Sequence, residues 1–65
     1  MNSREAFKID TEFYVDFDAE TKLWCVFGDK SGFCYETCSD AEQAAERRDE
    51  RYIAKGLIAT LQKSP

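Results

Sequence analysis

From Glu12 to Asp16 apolar and polar residues alternate, and the pattern runs on to Phe17. Phe13, Val15 and Phe17 fall on one side of an extended chain, Tyr14 and Asp16 on the other. This period of two is the mark of a half-buried β-strand. The polar stretch Asp18–Lys22 breaks it, and Leu23-Trp24-Cys25-Val26-Phe27 resumes a β-prone run that ends at Gly28. Asp29-Lys30-Ser31-Gly32 places aspartate first and glycine fourth, the chemistry of a type I turn closed by a glycine bulge, and Phe33–Thr37 follows as a third strand.

The period then changes. Ser39-Asp40-Ala41-Glu42 reads as a capping box with Ser39 as the cap, and Ala41, Ala44, Ala45, Ile53, Leu57, Ile58 and Leu61 recur at helical spacing. A continuous helix is the expected reading; a helix ending at Gly56, with a short strand over 57–61, is the alternative. The sum is an α+β domain, a three-stranded antiparallel meander followed by one C-terminal helix (βββα). It occupies residues 11–65, behind an N-terminal arm over residues 1–10 that Phe7 and Ile9 dock.

If the glycine bulge sets the register, Asp29 opposes Phe33, and Leu23, Cys25 and Phe27 share a face with Phe33, Tyr35 and Thr37. Phe13, Val15 and Phe17 are expected to join them under the helix. Shifting the pairing by one residue would turn Glu36 into the core, which disfavours it. One helix covers one face of a sheet, so the other face stays open. Tyr14, Asp16, Trp24, Val26 and Glu36 are therefore the expected interaction face, with Cys34 and Cys38 beside them. Burial of Trp24 under the arm is the competing expectation.

Composition narrows the function classes. A chain of 65 residues supplies only about 3–5 kcal/mol from its own core, which favours a homodimer or another protein partner. Thirteen acidic residues against nine basic ones give a net charge of −4, which argues against nucleic acid and for a basic partner. The odd cysteine count (Cys25, Cys34, Cys38) and the lack of an apolar run of leader or membrane-span length in the first residues imply a cytoplasmic protein with free thiols. With no histidine, phosphate loop, serine elbow or Cys-x-x-Cys pair, the chain reads as non-enzymatic, without cofactor or metal. Asp16, Asp18 and Glu20 are taken as hairpin carboxylates rather than metal ligands.

The series Tyr14-Val15-Asp16-Phe17-Asp18-Ala19-Glu20, Leu23-Trp24-Cys25-Val26, Ser31-Gly32-Phe33, Glu36 and Ser39-Asp40-Ala41-Glu42-Gln43-Ala44 resembles the HicB-like antitoxin families over roughly residues 13 to 54. The departures are Ser31, where the family has proline before the glycine, and the lack of a DNA-binding domain after Pro65. What the resemblance implies is a truncated module that inhibits a protein partner and self-associates, without autoregulation through DNA. Two other readings stand beside it: a phage or mobile-element inhibitor of a host factor, and a sheet that enters a DNA groove, which Asp16 and Glu36 oppose.

Overall fold

The structure, a computed structural model, describes residues 2–56. The elements run α1 (Ser3–Ile9), β1 (Phe13–Asp18), β2 (Leu23–Gly28), β3 (Cys34–Cys38) and α2 (Ala41–Lys55). The strands form one antiparallel sheet in the order β1-β2-β3, followed by the helix. The expected α+β meander with a C-terminal helix is therefore the observed fold. The arm before Asp10 is itself helical, capped by the Asn2 side chain on the Glu5 amide. Phe7 docks as expected, stacked on Phe13 with ring centroids 5.6 Å apart, whereas Ile9 lies 44% exposed.

Helix α2 lies on the sheet face that carries Phe13, Val26 and Cys38, and buries Ala44 against them; Phe7, Val15, Trp24, Tyr35 and Tyr52 close the rim. Ala44 is a member of the expected stripe, while Ala41 is exposed and Ala45 half-buried. The contact that anchors the far end of α2 is Tyr52. Its hydroxyl accepts from the Phe13 amide at 3.0 Å and donates to the Phe13 carbonyl at 2.9 Å, occupying both outward backbone groups of that edge residue.

Two helix boundaries differ from the sequence reading. The cap of α2 is Asp40, whose carboxylate accepts from the Gln43 amide at 2.7 Å, and not Ser39, whose hydroxyl reaches only the Gln43 side chain. A carboxylate at this position also opposes the helix dipole favourably, so aspartate displaces the neighbouring serine from the role. The helix ends at Lys55 because Gly56 takes a left-handed backbone, φ +80°, and its amide turns back to the Tyr52 and Ile53 carbonyls. The alternative strand over 57–61 lies outside the described residues.

The interaction that ties α1 to the sheet is a buried carboxylate. Asp10, fully buried, accepts four hydrogen bonds: from the Lys30 amide (3.0 Å), the Ser31 amide and hydroxyl (2.7 Å each) and the Tyr35 hydroxyl (2.6 Å). Asp29 answers in the opposite direction, accepting from the Thr11 amide and hydroxyl and from the Glu12 amide. Each aspartate thus caps the other's loop. Gly28 makes the approach possible, since a Cβ there would stand 1.7 Å from Asp10 Oδ2.

Burial alone would raise the Asp10 pKa, but bonds from Tyr35, Ser31 and Lys30 outweigh it and hold the carboxyl below its ordinary 3.8. Backbone and Thr11 hydrogen bonds likewise overcome desolvation at Asp29 and bring it down to about 2. Burial, with Asp10 as partner, pushes the Tyr35 phenol up to about 12.

Two expectations follow. Because both carboxyls are depressed, the unfolded chain takes up protons first as pH falls. Their stabilisation is complete above the ordinary 3.8 and drains away toward pH 2, so the melting temperature should drop steeply between about pH 4 and 2. Asp10→Asn should flatten that drop and cost about 2 kcal/mol at neutral pH, as read by denaturant melts. Asp40→Ala should cost about 1 kcal/mol and Ser39→Ala less than about 0.5 kcal/mol in the same assay.

Candidate interaction surface

The partition of side chains between the two sheet faces is decided by two hairpins. In β1–β2, Asp18 pairs with Leu23 and Phe13 with Gly28, so Ala19–Lys22 is a four-residue loop. Lys22 closes it in the left-handed region at φ 60°, with its amide 2.7 Å from the Asp18 carbonyl. Phe17 therefore opposes Trp24 and Val15 opposes Val26. Trp24 and Val26 lie under α2 with Phe13 and Val15, and the expectation that they face outward is corrected. The alternating pattern alone does not determine this parity; the loop length does.

The β2–β3 pairing holds Cys25 opposite Thr37, Val26 opposite Glu36 and Trp24 opposite Cys38, the register expected from the glycine bulge. The extra residue stands elsewhere. Gly28 pairs with Phe33 across the Asp29–Gly32 loop, Phe27 with Cys34, and the bulge falls at Tyr35. A bulge of this kind turns two successive side chains to the same side. Tyr35 and Glu36 accordingly both serve the helix side, Tyr35 reaching Asp10 and Glu36 meeting α2. Glu36 is no open-face residue: Arg47 Nε donates to it at 2.8 Å, and Arg51 Nε stands 3.6 Å away. These partners offset the desolvation that had argued against an inward Glu36.

Of the five expected interface residues, the structure brings Tyr14 and Asp16 to the open face and turns Trp24, Val26 and Glu36 to the helix side. Residues assigned to the core come out to replace them. Phe27 lies against Tyr14 with centroids 5.7 Å apart, and Leu23, Cys25 and Asp18 share their face. Tyr14 is 46% exposed; Leu23 and Phe27 are half-buried. No described element covers this surface.

Carboxylates border it, each tied to its own backbone: Asp16 accepts from the Phe17 amide and Asp18 from the Glu20 amide. The Asp16 bond also occupies the outward amide of Phe17. With Tyr52 on Phe13, this leaves Val15 as the outward residue between two occupied positions of the β1 edge. Among the described residues no cluster of histidine, cysteine or acidic side chains has the form of a metal site.

Cys25 is buried on the open face beneath its larger neighbours, and its thiol is pushed up by burial and by Cys34 beside it. Burial raises the Cys38 thiol too, and all three cysteines are free. No family model matches the chain, and no curated protein or solved structure matches it either. Among the described residues no helix is long and apolar enough to cross a membrane.

The exchange of faces gives a direct expectation. Trp24→Ala should lower stability by about 2 kcal/mol or more, because it empties the layer between sheet and helix. Tyr14→Ala should cost less than about 1 kcal/mol, because its ring is half in solvent. Paired urea melts check both.

Proposed function

We propose that this chain is a small non-enzymatic protein-binding module, an inhibitor of HicB-like antitoxin type, that meets a basic protein partner with the open face of its sheet. The observation that carries the reading is the uncovered Tyr14–Phe27 pair with Leu23, bordered by Asp16 and Asp18. Aromatic side chains framed by charge are what protein interfaces concentrate at their centres and rims. The sign of that frame, with a net charge of −4, selects a basic partner. The same carboxylates repel phosphate, which sets the DNA-groove reading aside. The absence of histidine from the chain, and the raised pKa values of the buried thiols, supply no activated nucleophile and support a non-catalytic role.

The test is a binding series. Protein captured on the immobilised chain from its native host is purified and titrated against wild type, Tyr14→Ala and Asp16→Lys. Each substitution should weaken binding at least tenfold while the melting temperature holds within a few degrees. A partner bound equally well by both variants, or one of acidic character, would refute the reading.

A further inference from the structure

The chain's charges are not spread evenly. A groove of 480 Å³ runs between α1 and α2, lined by Ser3, Arg4, Phe7, Lys8, Arg51 and Ala54. Three of these six side chains are cationic and none is acidic, in a chain whose thirteen acids outnumber its nine bases. Lys55 adds a fourth cation at the margin, over the Phe7 ring at 4.8 Å. Arg4 and Lys8 stand one turn apart on α1, as Arg51 and Lys55 do on α2.

These cations are held in two ways. The Arg51 guanidinium lies over the Tyr35 ring at 4.6 Å, and its Nε stands 3.6 Å from Glu36, a carboxylate that also accepts from Arg47. Arg51 is thereby fixed in place. Arg4 and Lys8 are exposed and have no ion pair among the described residues. Like charges one turn apart repel, and a bound anion relieves that repulsion.

The volume is that of a small-molecule site, so one compact ligand has to answer several cations at once. A lone carboxylate engages one guanidinium fork. Linked phosphates carry more charge and present acceptor oxygens on every side, to guanidinium and ammonium alike. A stacked base has no place here, because Phe13 covers one face of the Phe7 ring at 5.6 Å and Lys55 the other. The carboxylates that repel phosphate, Asp16 and Asp18, belong to the open sheet face and do not line this groove.

We infer that the α1–α2 groove binds a short polyphosphate, held by Arg4, Lys8 and Arg51 with Lys55 at its margin and recognised through its phosphates alone. The site is separate from the open face and does not rest on the proposed partner binding.

The test titrates the purified chain with sodium tripolyphosphate, free of divalent cations, by calorimetry and amide NMR. One-to-one binding is expected with a Kd below about 1 mM. It should weaken several-fold between about 0.05 M and 0.3 M salt. Shifts should concentrate in residues 3–8 and 51–55 and leave Tyr14 and Phe27 unmoved. Arg4→Gln/Lys8→Gln should weaken binding about tenfold or more. Lys22→Gln/Lys30→Gln removes the same charge from the two hairpin loops and should change it less than about twofold. A nucleoside triphosphate should bind no tighter than tripolyphosphate.

Absence of heat and shifts, shifts centred outside the groove, or equal losses in the two double variants would overturn the inference. So would a nucleoside triphosphate or a hexaglutamate peptide that binds much more tightly, since either assigns the groove to another ligand. If the groove variant fails to fold, the wild-type shift map decides alone.

Discussion

A carboxylate removed from water is tolerated only where its surroundings supply hydrogen bonds, and Asp10 organises the domain by this demand. Its donors come from the β2–β3 loop and from Tyr35, so satisfying it requires α1, that hairpin and the start of β3 to be in place together. Asp29 is exposed and makes no such demand, but its bonds from Thr11 and Glu12 tie the same two segments from the other side. Folding one segment without the other would strand a charge. Gly28 has no side chain because Asp10 occupies that space.

The aromatic layer is built around this network. Phe13 stacks on Phe7 and meets Tyr35 and Tyr52 edge to face. Both tyrosines combine an apolar body with a hydroxyl that has a definite partner, Asp10 for one and the Phe13 backbone for the other. Helix α2 contributes little apolar surface beyond Ala44 and Tyr52, and the Glu36–Arg47 pair attaches its exposed flank to β3. A chain this short thus supplements a limited hydrophobic core with oriented polar contacts.

Much of this was legible in the residue pattern. The strands, the β2–β3 register through Val26 and Glu36, and the helix starting beside Asp40 all follow from period, turn chemistry and capping. The parity between β1 and β2 was not legible, because Ala19-Glu20-Thr21-Lys22 carries no residue that announces a left-handed closure. That one ambiguity exchanged Trp24 and Val26 for Leu23, Cys25 and Phe27, and with them most of the expected interface. Tyr14 and Asp16 kept their place because their assignment rested on β1 alone. The role of Asp10 has no local signature for another reason: its partners lie 20 to 25 residues away, and no periodicity marks a long-range hydrogen bond.

The Ala19–Lys22 loop also bears on how such a chain can change over generations. Its side chains touch no buried layer, so its composition is free to drift. Its length is not. A residue lost or gained there has to be absorbed by a new loop conformation or a bulge, because the other outcome, β2 turned over, would present the inner layer to solvent and the outer one to α2. Substitution and deletion in the same exposed segment thus have opposite tolerances. Descent within a family built on this frame should record the segment as variable in letters and constant in count, with glycine or asparagine the replacements that suit the backbone of Lys22 best.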